Sequence, residues 1–191
     1  IRNDELIKYF MVSETWKVLA ENVLLKRWNG RFFEACEVGK TEIMKLLLER
    51  IENIDLNTRD VTGRTALMAA CENGHKDVVQ LLINYYEENH SGTEGNIELN
   101  ATDDYGKTAF MYACLMGHTD VVQLLLSYPE IDLNARDEYG RTALMIACSE
   151  GHKDVVQSLL AHSSIELNAK DNLGLTAFIN ACEYGHKDVV Q

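Results

Sequence analysis

Five cysteines stand at one place in a repeating unit, and this regularity limits the fold more than any other feature of the chain. Cys36, Cys71, Cys114, Cys148 and Cys182 each follow an alanine and each precede a glycine by three positions. Successive cysteines are 35, 43, 34 and 34 residues apart. A period of about 33 residues made of two short apolar segments does not close into one globule. Each unit buries its apolar faces against its neighbours, so the chain must stack.

The units align on these cysteines. One runs from Asp60 through Gly63, Thr65, Cys71, Gly74-His75 and Val78-Val79-Gln80. The next three begin at Asp103, Asp137 and Asp171 and repeat the pattern through Gly117-His118, Gly151-His152 and Gly185-His186. A weaker unit precedes them, with Phe32-Phe33, Cys36, Gly39 and the apolar Ile43 to Leu48 stretch.

Local chemistry converts each unit into helices. Thr65, Thr108, Thr142 and Thr176 are placed as N-caps, where a hydroxyl satisfies an orphan amide of the first turn. Ala-Leu-Met-x-Ala-Cys follows as a short helix rich in small residues. Gly-His ends it, because glycine takes the left-handed conformation without Cβ strain. Asp-Val-Val-Gln-Leu-Leu is a second helix, apolar widely enough to face a neighbour on both sides. Asp-x-x-Gly is a tight turn. The expected fold is an all-α repeat solenoid of stacked helix-turn-helix repeats with projecting β-turn or hairpin loops.

The motifs Asp-x-x-Gly-x-Thr-Ala-Leu, Gly-His-x-Asp-Val-Val-x-Leu-Leu and the Asn of Leu-Asn-Ala resemble the ankyrin repeat family, in register from about residue 30 to the end. The chain departs from the family's Thr-Pro-Leu-His, with Thr65-Ala-Leu-Met68, Thr108-Ala-Phe-Met111, Thr142-Ala-Leu-Met145 and Thr176-Ala-Phe-Ile179 in its place. Alanine is a good helix former, so the missing proline is tolerable. The missing histidine removes a polar link between repeats, and cohesion is expected to rest more on apolar packing. The array divides into repeats at 30–59, 60–102, 103–136, 137–170 and 171–191. Residues 1–29 are read as a helical cap with an amphipathic stripe through Trp16, Leu19, Ala20, Val23, Leu24 and Arg27, or alternatively as a partner-binding helix. Gly30 stands where Thr65 stands in the next unit. Repeat two carries nine extra residues within 85–96, read as a flexible acidic surface loop or as a loop that lengthens one edge of a binding surface. The chain begins at Ile1 and ends at a glutamine equivalent to Gln80, Gln123 and Gln157, part-way through a second helix. It reads as a piece of a longer protein whose array continues.

Charge and spacing narrow the function. The net charge of −12 opposes binding to nucleic acid or an anionic membrane. The longest apolar run, residues 109–116, is far below the roughly 20 residues a membrane span needs, so membrane insertion is not expected. Equivalent cysteines sit about one helix spacing apart, beyond disulfide reach, and read as small buried residues. Free thiols point to an intracellular protein, with the cytoplasm placed ahead of the nucleus. Asn89-His-Ser91 and Asn100-Ala-Thr102 match glycosylation acceptors and are read as accidental. His75, His118, His152 and His186 are a repeat apart and cannot converge on one metal; they read as turn residues bonding backbone. No nucleophile–base pair, phosphate loop or metal spacing appears, so neither catalysis nor a cofactor is expected.

The resemblance implies protein binding through the turn tips and the inner face of the first helices. On this chain those positions give Arg64, Tyr105, Lys107, Leu115, Met116, Tyr139, Arg141, Leu173 and Tyr184 as the expected partner-binding set. The apolar members are expected to be exposed. Arg59, Arg136 and Lys170 extend a basic stripe that an acidic peptide can pair with, unless Asp60, Asp103, Asp137 and Asp171 neutralise it. The reading is a non-catalytic scaffold for a protein or peptide, monomeric apart from contacts at the open C-terminal end. The alternative is a regulatory or targeting segment of a larger enzyme or channel. The resemblance also implies possible asparaginyl hydroxylation at Asn134 and Asn168, against the plainer role of a loop asparagine bonding backbone.

Overall fold

A computed structural model describes residues 27–50, 55–88 and 97–190. Paired helices stack in register along the chain. Helix α1 covers 27–38 and α2 is Thr41–Arg50. Repeat two contributes α3 (Ala66–Glu72) and α4 (Lys76–Glu88), and repeat three α5 (Ala109–Leu115) and α6 (Thr119–Leu126). Repeat four gives α7 (Ala143–Glu150) and α8 (Lys153–Leu160), and repeat five α9 (Ala177–Glu183) and α10 (Lys187–Val190). First helices α3, α5, α7 and α9 pack in one row, and second helices α2, α4, α6, α8 and α10 in another.

Helices of seven or eight residues are too short to persist alone in water. Local caps define them and tertiary burial holds them. Met68, Met111, Met145 and Ile179 each donate their backbone N–H to the hydroxyl of the capping threonine three residues before, at 3.3 to 3.5 Å. Each first helix then stops at a left-handed glycine, as at Gly117 with φ 74°. His118 N–H closes the turn on Ala113 O.

The two rows differ in burial. Residues 66–71, 109–114 and 143–148 of the first helices are buried on every side. The second helices bury one stripe only, Val121, Val122 and Leu125 in α6 and Val155, Val156 and Leu159 in α8. Each inner second helix faces a neighbouring second helix on both sides, as expected. Their outer side meets water, and Leu160 is exposed there. Each fully buried Val or Leu contributes about 1.5–3 kcal/mol, which makes these interfaces the main source of cohesion.

Polar links nevertheless cross every interface, beside the apolar packing. His75 Nε2–H donates to Glu37 O at 3.0 Å, His118 to Glu72 O at 2.8 Å, His152 to Leu115 O at 2.9 Å and His186 to Ser149 O at 2.7 Å. Each ring packs over the helix-ending glycine of the previous repeat. A Cβ at Gly117 would lie 2.6 Å from His152 Nδ1, so that glycine is required by conformation and by contact. The loop asparagines form a second line. Asn100 donates to Glu130 O at 2.7 Å and accepts from Asp132 N–H at 2.8 Å. Asn134 does the same with Ser164 O and Glu166 N–H, the backbone-bonding role expected of it.

The histidine link has a measurable consequence. His118→Ala removes the bond to Glu72 O, leaving a carbonyl without its partner, and should cost about 1–3 kcal/mol. His162→Ala, in a loop, should cost less than about 0.5 kcal/mol. Urea unfolding of both variants checks this, and equal losses would show that the ring over Gly74 does nothing for stability.

Three expectations are corrected. Backbone from 27 to 38 is one helix, so Gly30 lies inside it and is not a cap equivalent to Thr65. Part of the insertion in repeat two lengthens α4 to 13 residues, against eight in α6 and α8, so 85–88 are helical. Residues 89–96 lie outside the described residues. Cys36, Cys71, Cys114 and Cys148 are buried and Cys182 is exposed. It lies on α9, the last first helix described, and no described helix covers that side of it. Of the expected N-terminal cap, only residues from 27 onward are described, with Trp28 packed partly buried against the core. The stripe from Trp16 to Leu24 lies outside the described residues.

Candidate protein-binding face

The face is built from the Asp-x-x-Gly turns. Asp103 Oδ1 accepts from Tyr105 N–H at 2.9 Å and from Lys107 N–H at 2.8 Å, while Asp103 N–H donates to Lys107 O. Asp60, Asp137 and Asp171 hold their turns in the same way. One carboxylate oxygen thus clamps two amides, and the two residues after the aspartate are pushed to the tip. Neighbouring tips join by backbone. Asp104 N–H donates to Thr62 O, Glu138 N–H to Tyr105 O and Asn172 N–H to Tyr139 O, at 2.9 to 3.2 Å. The tips form one strip of registered turns.

What the second carboxylate oxygen does varies by repeat. Asp60 Oδ2 accepts from Arg64 Nε at 2.8 Å, and Asp137 Oδ2 from Arg141 Nε at 2.9 Å. In repeat three a lysine replaces the arginine, and Lys107 Nζ lies over the Tyr105 ring at 5.1 Å. Asp103 Oδ2 instead accepts from the Tyr112 hydroxyl at 2.6 Å. Burial, reinforced by Asp103, pushes the Tyr112 phenol upward, so it stays a donor. Tyr112 escaped the sequence reading. Its signal was a tyrosine where the other repeats carry Ala69, Ile146 and Asn180.

The arginines are already engaged. Arg64 pairs with Asp60 at 2.7 Å, with Glu72, and with Glu37 at 3.7 Å. Burial opposes ionisation of Asp60, but hydrogen bonds from Thr62 and Arg64 outweigh it and hold the carboxyl below its usual range. Arg141 pairs with Asp137 at 2.8 Å. Arg59 donates to Gly63 O and Thr102 O, and Arg136 to Gly140 O and Lys170 O. The basic stripe is therefore largely neutralised inside the molecule.

Tyr105, Tyr139 and Leu173 stand on successive tips at 46%, 55% and 83% exposure. Val61 at the tip before them is also exposed. Arg141 Cζ lies over the Tyr139 ring at 5.0 Å, and hydrogen bonding to Glu138 raises that phenol's pKa. Met116 and Tyr184, at the ends of α5 and α9, are exposed as expected. Leu115 is not: it packs partly buried against the core, because His152 seats on its carbonyl and brings the next repeat over it. On the opposite side, an open groove of about 620 Å³ between α2 and α4 has a mixed lining that includes Lys40, Glu42, Asp77 and Gln80. Among the described residues no three His, Cys, Asp or Glu side chains are grouped as metal ligands, and no helix is long and apolar enough to cross a membrane.

A family model described as ankyrin repeats (3 copies) matches residues 32–137 and 130–191. The chain belongs to the ankyrin repeat family. Repeats of this family generally mediate protein–protein interaction. Among its relatives, a probable E3 ubiquitin-protein ligase, XBOS33 of Oryza sativa subsp. japonica, is 35% identical over 82 residues, 43% of this chain and 15% of that protein. Ankyrin repeat domain-containing protein 63 of Mus musculus is 48% identical over 46 residues, 24% of this chain and 11% of that protein. Putative ankyrin repeat protein L56 of Acanthamoeba polyphaga mimivirus is 32% identical over 85 residues, 44% of this chain and 13% of that protein. The matched stretches thus cover under a fifth of the length of each of these three relatives.

Proposed function

We propose that this ankyrin array is a non-catalytic scaffold that grips a protein or peptide across its turn tips and the ends of its first helices. One observation carries the reading. Val61, Tyr105, Tyr139 and Leu173 form a row of exposed apolar side chains on turns otherwise held by buried or half-buried polar anchors. Nothing in the turn's own hydrogen bonding needs a tyrosine at that position, whereas tyrosine and methionine are enriched at interface cores. Of the expected set, Tyr105, Tyr139, Met116, Leu173 and Tyr184 act as anchors in this reading. Arg64, Lys107 and Arg141 orient the tips, and Leu115 supports Met116 from below. The array works as a monomer, except where exposed Phe178 and Ile179 offer another chain a surface. Its five thiols are free, which goes with a reducing intracellular setting.

The test takes a partner recovered by affinity capture and measures its affinity for variants. Tyr105→Ala and Tyr139→Ala should each weaken binding by about 1–3 kcal/mol. Neither should lower the melting temperature appreciably, because both rings lie outside the core. Lys153→Ala, exposed on α8, should leave affinity unchanged. Full affinity in both tyrosine variants would move the site elsewhere. A second reading makes the array a recruiting or regulatory segment of a larger enzyme, and the rice relative named as a probable E3 ubiquitin-protein ligase favours it.

A further inference from the structure

We infer that the segment this face receives is a basic, extended polypeptide carrying bulky apolar residues, and not an acidic one. The inference rests on the scaffold reading and names the chemistry of the partner. Its first ground is that the arginines of the face are already engaged. Arg64 and Arg141 are held by the aspartates of their own turns, Arg64 also by Glu72 at the end of α3, and Lys107 lies over Tyr105. Arg59 and Arg136, at the turn bases, each donate to two backbone carbonyls and approach Glu98 and Glu166.

The carboxylates are in the opposite state. Every turn contributes its aspartate, and Asp104 and Glu138 add two at the middle tips. The first-helix ends add Glu37, Glu72, Glu150 and Glu183. These ten carboxylates outnumber the six basic residues of the stripe, Arg59, Arg64, Lys107, Arg136, Arg141 and Lys170. Asp104, Glu138, Glu150 and Glu183 are exposed, and no described cation lies within ion-pair distance of them. The chain's net charge of −12 adds a long-range field of the same sign. That field draws a basic segment in and repels an acidic one.

The second ground is spacing. The apolar anchors recur once per repeat on tips tied together by backbone hydrogen bonds. Stacked helices lie about 8–10 Å apart, and a chain in the extended polyproline II conformation advances about 3.1 Å per residue with three residues per turn, so every third side chain faces the same way. The matching segment therefore presents an apolar side chain about every third residue, with lysines or arginines between them reaching Asp104 and Glu138.

A library of random peptides displayed on phage is selected against the 191-residue chain. It is counter-selected against the Tyr105→Ala/Tyr139→Ala double variant. The expected output is enriched in Lys and Arg together with bulky apolar residues. A synthetic representative should bind about tenfold more weakly in high salt than in low salt. It should bind about fivefold more weakly to the Asp104→Asn/Glu138→Gln variant. That variant should melt like the parent, since Asn172 already occupies the position equivalent to Asp104. Tyrosine-dependent peptides that are neutral or acidic would overturn the inference and leave the scaffold reading standing. Peptides that bind the double variant equally well would overturn both.

Discussion

Phe110→Ala is expected to cost about 3–5 kcal/mol, and Phe178→Ala less than about 1 kcal/mol, although the two phenylalanines hold the same place in their repeats. Phe110 is 2% exposed between α3 and α7, whereas Phe178 is 62% exposed on α9. Removing the buried ring leaves a cavity that the close-packed first helices cannot fill. Removing the exposed ring returns a side chain to water that was already there. Stability in a stacked array is a sum of repeat terms and nearest-neighbour interfaces. Phe110→Ala weakens two adjacent interfaces at the centre, so its urea transition should also broaden as the two halves uncouple. Denaturation of both variants in the 191-residue chain checks this. Equal losses would mean that α9 is buried in solution, by a second copy or by a rearranged end.

Thiol labelling should separate the cysteines by a larger factor still. The thiolate is the reacting form. Burial pushes the Cys36, Cys71 and Cys114 thiols well above their ordinary range, and that of Cys148 up to about 11. Those four side chains are also closed to reagent, so they react only when the array opens. For an opening free energy of about 4 kcal/mol, that slows labelling roughly a thousandfold. Cys182 is exposed and should react at the rate of an accessible thiol. Time-resolved labelling should therefore show one fast thiol and four that wait for denaturant. Fast labelling of Cys71 or Cys114 in the native chain would contradict the packing of the first helices.

The candidate face was legible in outline. Tyr105, Tyr139 and Leu173 could be placed at tips because Asp-x-x-Gly is a local device, complete within five residues. Leu115 could not be placed, because its burial depends on where His152 of the next repeat lands. The charge of the face stayed open in the sequence for the same reason. Asp60 and Asp137 could be named as partners of Arg64 and Arg141, but the carboxylates that hold Arg64 also include Glu72 eight residues on and Glu37 in the previous repeat. Tyr112 went unnoticed because its partner, Asp103, is reached only when helix and turn fold together.

What the sequence determined alone are the events that close within a few residues: threonine caps, left-handed glycines, clamped turns and the period that makes units stack. Each depends on φ, ψ and hydrogen bonds between near neighbours, so residue type and spacing suffice. Tertiary structure decided the rest. It chose which helix row is buried on all sides, tied each histidine to a carbonyl of the previous repeat, linked the loop asparagines, and left Cys182 and Phe178 in the open where Cys114 and Phe110 are covered. Identical motifs meet different fates among the described residues because burial belongs to the neighbour that covers a residue.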